Sequence, residues 1–303
     1  MNNYREVLEK YDLKPYKYKY INKACIIYTD KGKYVIKKSS KDKPKLYDYL
    51  TSRGFTNILY PINKDTDYEI FDYLEEVDMK PDEKAKDLIL TIADLHNRTT
   101  SYKELDLDKI KEIYEEKENI ITYLKNYYND LEEIFIRNIY NSPAEYLLLR
   151  NMDKINNTLN YSDYLLKTWY EEITEDSKVR VSMTHNNLSL DHFIDNNDAK
   201  LISFNYAKMN SPIYDIAKFY RKHYNILDME SLYNIYKHKY RFSRKEELLL
   251  WIELIIPWKV EFNNNNYNNC ERAYNLIDYL DTTRKFILKQ EEKKHPRNNQ
   301  NKT

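Results

Sequence analysis

Short apolar runs dominate the first quarter of the chain, and helical periodicity dominates the rest. Between residues 16 and 39 the stretches ACIIY and KYVIKK are β-branched and tyrosine-rich, and they flank TDKGK, whose glycine suits a tight turn. This predicts a hairpin with strands at 16–28 and 33–38. KPKLYDYLTSRGF (43–55) sets Leu46, Tyr49 and Leu50 at helical spacing ahead of Gly54, a helix stop. ILYPI (58–62) and DYEIFDYLEEV (67–77) read as two further strands, the second running out into an acidic connector. Residues 1–77 are therefore expected to form a strand-rich N-terminal lobe.

Beyond Pro81 the period changes, with Leu88, Ile92 and Leu95 on one helical face. Long helical runs are expected between 103 and 174. VRVSMTHNNLSLDHFIDNNDAKLISF (179–204) breaks them with two short extended pieces around a polar loop. PIYDIAKFYRKH and KEELLLWIELIIPWKV read as buried helices, the second broken near Pro257 and anchored by Trp251 and Trp258. NNNNYNN (263–269) reads as a connector to a last helix, and 291–303 as a polar, disordered tail. The expectation is an α+β protein of two lobes, 1–77 and a helical 78–290.

Composition narrows the function. A chain of 303 residues, 42% hydrophobic, can bury a large core. Lys+Arg 49 against Asp+Glu 49 leaves no net field to draw the chain to a phosphate backbone, which disfavours nucleic acid as a partner. The two cysteines, Cys25 and Cys270, cannot build a disulfide framework or a cysteine-rich zinc site and suit a reducing compartment. No apolar run reaches membrane-spanning length and the first residues, MNNYREVLEK, are polar, so the expected location is cytoplasmic, with no membrane partner. The 32 tyrosines fit the codon bias of an AT-rich genome better than an aromatic ligand platform. The 2 glycines, Gly32 and Gly54, stand alone, so no glycine-rich loop is available to wrap phosphates.

Four local patterns, in order, carry a family resemblance. IADLHNRTT (92–100) looks like the LAxLH helix end of the aminoglycoside phosphotransferase and choline kinase branch of the protein-kinase-like fold. THNNLSLDHFI (184–194) falls where that branch has its HGDLxxxN catalytic loop. LISFNYA (201–207) falls at its metal-binding IDF, and PIYDIAKF (212–219) at the helix whose aspartate, here Asp215, props the loop. VIKK (35–38) resembles the VxK strand whose lysine, here Lys37, holds nucleotide phosphates. The long helical stretch before the loop and RGF (53–55) resemble CotS-type spore-coat kinase-like proteins.

The resemblance implies a protein-kinase-like fold, and it also shows what is missing. Phosphoryl transfer there needs a carboxylate to orient the attacking hydroxyl and Mg²⁺ between phosphate and protein oxygens. Asn187 stands at the catalytic aspartate, His192 at the metal-binding asparagine and Ser203 at the metal-binding aspartate, within a degenerate loop, 184–207. An amide has no useful basicity, and an imidazole with a neutral hydroxyl is a poor Mg²⁺ site. The scaffold positions His185 and Asp215 are kept. His185, Asn187, His192 and Ser203 should therefore converge on one cleft facing Lys37, with no intact catalytic set and no metal site. ATP could still bind through Lys37.

The expected protein is a pseudokinase that binds or assembles with a protein partner, which the CotS resemblance places among spore-coat proteins. The alternatives are an active phosphotransferase, using ATP on a small hydroxyl substrate with Asn187 and Asp191 in unorthodox roles, and a nucleotide sensor without turnover. Asp195 and Asn205 are the other nearby substitutes for the missing groups. Among the histidines, His96 is expected to be structural. His185 with His192 lacks a third ligand for zinc, and His223, His238 and His295 are expected to be solvated.

Overall fold

The computed structural model describes residues 4–21, 24–39, 43–63, 67–195 and 198–294. Helix α1 (Tyr4–Lys10) leads into an antiparallel sheet of β1 (Pro15–Ile21), β2 (Ala24–Thr29), β3 (Gly32–Lys38) and, after helix α2 (Lys43–Ser52), β4 (Tyr68–Asp72), in the order β1-β2-β3-β4. The span 16–28, expected as one strand, is two, β1 and β2, which pair antiparallel with Ile21 opposite Ala24; residues 22–23 lie outside the described residues. No glycine or proline stands between Ile21 and Ala24 in the sequence. The turn from β2 to β3 is marked by a glycine: Gly32 at φ 136° pairs with Thr29, whose hydroxyl donates to the Gly32 carbonyl at 2.9 Å.

Alternation along the strands divides the sheet into two faces. On one, Cys25, Ile27, Ile36 and Ile70 are buried against Val7, Leu8 and Leu13. The other carries Ala24, Ile26, Val35, Lys37 and Phe71, which line a cavity. Gly54, at φ 69°, ends α2 where Phe55 N donates back to the Leu50 carbonyl, and the Arg98 guanidinium donates to the Gly54 carbonyl at 3.0 Å. ILYPI forms no strand among the described residues. Only Ile58 makes an isolated parallel bridge, to Leu201, and Pro61 has no N–H to extend it.

Helix α3 (Pro81–Thr99) follows, with Leu88, Ile89, Ile92 and Leu95 buried. Then come β5 (Ser101–Glu104), which the sequence pattern does not reveal, α4 (Leu107–Arg137), α5 (Pro143–Arg150), α6 (Met152–Thr174) and β6 (Lys178–Thr184), which pairs antiparallel with β5. The loop region holds β7 (Phe193–Ile194), β8 (Lys200–Leu201) and β9 (Lys208–Asn210), and the chain ends in α7 (Ile213–His223), α8 (Met229–Lys239), α9 (Arg244–Ile255) and α10 (Asn266–Lys294). By contacts the chain forms two compact units, Met1–Thr100 with Ser182–Met209, and Ser101–Val181 with Asn210–Thr303.

In the second unit α6 packs on α4 and α9, α7 on α9, and α10 on α5. Tyrosines do much of the filling: Tyr128, Tyr220, Tyr236 and Tyr279 are fully buried, and the Tyr128 and Tyr279 hydroxyls donate to the Trp258 and Leu254 carbonyls at 2.7 and 2.6 Å. His223, expected in solvent, is buried with its ring 4.7 Å from that of Phe219. α9 ends at Ile255, ahead of Pro257. Two sequence expectations shift by a few residues. α10 starts inside the asparagine run, where Asn265 Oδ1 accepts from Asn268 N at 3.1 Å, and it continues through Lys294. Residues 295–303, with His295, lie outside the described residues.

Candidate functional site

Every position the sequence assigns to the site except Asp215 lies in the first unit. β6 ends at Thr184, whose hydroxyl donates to the Lys208 carbonyl at 2.9 Å, while Met183 N donates to Thr99 Oγ1 at 2.9 Å and ties the strand to the end of α3. His185 follows, fully buried, and its Nε2 lies 2.8 Å from the Ile202 carbonyl, so that nitrogen carries the proton. Asn186 then takes a left-handed backbone, φ 60°. This is the position of the glycine in HGD, and asparagine is among the residues that tolerate that region.

Asn187 and His192 are bound to each other through the loop. The His192 Nδ1–H donates to the Asn187 carbonyl at 2.7 Å, and His192 N donates to the Ser189 carbonyl at 3.0 Å. Ile202 N donates to the His192 carbonyl at 2.9 Å, and the rings of His185 and His192 lie 5.8 Å apart. The β7–β8 pair is fastened to the segment after α2: Leu201 N donates to the Asn57 carbonyl at 2.9 Å, Leu59 N to the Leu201 carbonyl at 3.2 Å, and Lys200 Nζ to the Thr56 carbonyl at 2.8 Å. Ser203 stands just beyond, also left-handed at φ 68°, and its hydroxyl accepts from Lys37 Nζ at 3.3 Å. His185, Asn187, His192, Ser203 and Lys37 are thus joined by one chain of contacts.

A cavity of about 200 Å³ opens on Lys37 and Ser203. Its walls are Ile21, Ala24, Ile26 and Val35 from the sheet, Phe71 to Leu74 at the end of β4, Tyr47 from α2, Leu59, Ile194 and residues 202–205. Lys37 Nζ lies 5.9 Å above the Phe71 ring. Three wall or neighbouring groups escaped the sequence reading. Burial, and after it the charge of Glu69 and a hydrogen bond with it, pushes the Tyr47 phenol well above its ordinary value. Glu69, itself buried, faces Lys37 across the β3–β4 pair. Asp72 sits at the rim. The strand register, which pairs Lys37 with Glu69 and Tyr34 with Asp72, is the signal that places the two carboxylates, whereas Tyr47 comes from α2 and carries no such signal.

The Mg²⁺ that the resemblance implies does not fit this donor set. The His192 Nδ1–H is held by a carbonyl, which leaves that position a nitrogen donor, Nε2, where Mg²⁺ prefers oxygen, and the Ser203 hydroxyl is neutral and accepts from the Lys37 ammonium. Among the described residues no group of three or more His, Cys, Asp or Glu gathers to hold a metal ion. The substitutes weighed on sequence lie elsewhere. Asp191 is exposed and its carboxylate accepts from the Ser189 hydroxyl at 3.3 Å, while Asp195 is engaged with Asp87 of α3. Of the three, only Asn205 lines the cavity. Asp215 is fully buried in the first turn of α7, close enough to Tyr236 to raise its phenol pKa further beyond the effect of burial. His96 is also fully buried.

No family model matches the chain, and no curated protein does. Solved structures do. An aminoglycoside phosphotransferase from Alicyclobacillus acidocaldarius superimposes with a TM-score of 0.70 at 14% identity, over 95% of each chain. Spectinomycin phosphotransferase in its AMP complex gives a TM-score of 0.53 at 11% identity, over 94% of this chain and 92% of that one. Its complex with ADP and spectinomycin gives 0.51 at 12% identity, over 93% and 97%. At such identities the likeness establishes the fold: an α+β, protein-kinase-like chain with a small antiparallel sheet and a larger helical part. No described helix is long and apolar enough to cross a membrane.

Proposed function

We propose that this chain, with the fold of a phosphotransferase, is a pseudokinase that acts by binding. The observation that carries the reading is the Lys37–Ser203 contact. The lysine expected on nucleotide phosphates bonds to the residue at the metal aspartate, with neither a carboxylate at Asn187 nor an oxygen-rich metal site beside it. A missing general base alone removes about 10²- to 10⁴-fold of rate. The loop scaffold, by contrast, is whole: His185 is buried and bonded, and Asn186 holds the turn. A protein that keeps the loop, the cavity and Asp215 while lacking base and metal ligands serves as a binding or assembly component, with a protein partner. Its likeness to CotS-type proteins points to the spore coat, assembled from the cytoplasmic side.

The test is repair. Asn187→Asp, His192→Asn and Ser203→Asp together restore a base, an amide oxygen and a carboxylate, and Mg²⁺-dependent nucleotide binding should appear in a thermal-shift titration where the parent shows none. ATP turnover by the unmodified protein, abolished by Asn187→Ala, would instead establish an active phosphotransferase with an unorthodox site.

A further inference from the structure

The two edges of the N-terminal sheet end differently. β4 is buried at Glu69, Ile70 and Phe71, and its outer backbone groups are met by the chain just before it: Ile62 N donates to the Ile70 carbonyl at 2.7 Å, and Ile70 N donates to Asn63 Oδ1 at 2.6 Å. β1, at the other edge, has no such cover among the described residues, and residues 16–21 are all exposed. An edge strand turns the N–H and C=O groups of every second residue outward, which makes it a template for one more strand. A register shift between Pro15 and Lys17 limits the regular edge to residues 17–21.

Side chains divide that edge by face. Tyr18 and Tyr20 stand opposite Ile27 and Cys25 and so continue the face that packs on Val7 and Leu8. Lys17 and Lys19 stand opposite Tyr28 and Ile26 and continue the other face, with Lys17 Nζ 5.2 Å from the centre of the Tyr28 ring. Residues 13–21 hold Lys14, Lys17 and Lys19 and no acidic residue, in a chain whose charges balance overall. A second copy of β1 would set these lysines against their like, so the edge is guarded against self-pairing. The same lysines favour a strand of opposite charge. Tyr18 and Tyr20, 46% and 63% exposed, add nothing to the repulsion and suit β-branched side chains across a strand pair.

We propose that the β1 edge docks an extended acidic segment of a protein partner, in which carboxylates that meet Lys17 and Lys19 alternate with β-branched residues that meet Tyr18 and Tyr20. It rests on the pseudokinase reading only for the existence of a protein partner. Isothermal titration of the full chain with three capped octapeptides tests it: one of alternating Glu and Val, an isomer with its four Glu before its four Val, and one of alternating Lys and Val. The alternating acidic peptide should bind at least about tenfold tighter than either control. Lys17→Glu with Lys19→Glu changes only exposed side chains, so its circular dichroism should match the parent, and the order should reverse in favour of the Lys and Val peptide by about tenfold. N-methylating the alternating acidic peptide on every Val, or instead on every Glu, should abolish binding of one of the two products, because only one set of N–H groups faces β1. Equal binding of the block isomer, no reversal in the charge-swapped variant, or no loss with either methylated peptide overturns the proposal. No binding by any peptide does so too, and leaves the lysines as guards of a closed edge. A parent that sediments as a dimer and excludes the peptide gives the edge to a second copy instead. All of these outcomes leave the pseudokinase reading standing, since the repaired loop tests it separately.

Discussion

Asp87 and Asp195 form a pair of like charge in the first unit, one on α3 and the other just after β7. The Asp87 carboxyl is pushed up from its ordinary value, first by burial and then by the Asp195 carboxylate and a hydrogen bond with it. A raised carboxyl pKa means that the folded state holds the proton more tightly than the unfolded chain does. The pairing therefore supports folding below the ordinary aspartate value, and that support is lost as pH rises through the raised value. Asp87→Asn mimics the protonated acid at every pH. Thermal melts should show variant and parent alike near pH 3.5 and the variant more stable, by roughly 1–3 °C, at about pH 8. A difference that does not grow with pH would remove the shared proton from the account.

At the scale of elements, helix ends and junctions depend on single polar contacts with buried partners. Trp251, fully buried on α9, donates its indole N–H to Glu291 Oε1 at 2.8 Å, and Arg244 donates to both Glu291 oxygens at 3.2 and 3.1 Å. Glu291 thereby fixes the last turns of α10 against α9. Glu291→Ala leaves a buried indole donor unmet, a loss of about 1–3 kcal/mol, and Glu291→Gln should recover most of it because the amide oxygen still accepts. Urea denaturation of the three proteins measures this. Equal midpoints for the alanine and glutamine variants would mean that the charge, rather than the indole acceptor, is what matters. Two helix starts are closed in the same way: Ser142 with Glu145 and Ser243 with Glu246 form capping boxes at α5 and α9.

For the whole molecule, the proposed pseudokinase separates residues that keep the fold from residues that would do chemistry. Asp215 is 0% exposed, and a buried carboxylate persists only with hydrogen-bonding partners. Asn187 is half-buried and contributes its main-chain carbonyl to His192, a contact that survives truncation of its side chain. Asp215→Ala should therefore lower the melting temperature clearly, by an amount corresponding to about 1–3 kcal/mol or more, whereas Asn187→Ala should shift it little. Calorimetry on both variants decides the matter. An Asp215→Ala protein that melts with the parent would leave the retained scaffold without its main support.

The α+β plan was legible in the sequence because it depends on local rules: periodicity switching near Pro81, a glycine turn at Gly32 and a helix stop at Gly54; the kinase-like class came from the resemblance carried by the ordered loop motifs. The same rules missed what local signals do not encode. The break between β1 and β2 carries no glycine or proline, and β5 is too short to show a period. ILYPI has strand composition but among the described residues makes just an isolated bridge, from Ile58 to Leu201, 143 residues on, and a bond from Ile62 N to the Ile70 carbonyl. The identities at Asn187, His192 and Ser203 could be read one by one. That Lys37 reaches Ser203 was a matter of tertiary contact, since it joins residues 166 positions apart. Glu69 was invisible for the same reason: its alternation fixes only that it shares a face with Phe71. Its place beside Lys37 comes from the register of β3 against β4, a pairing that chain folding sets and that no single strand contains.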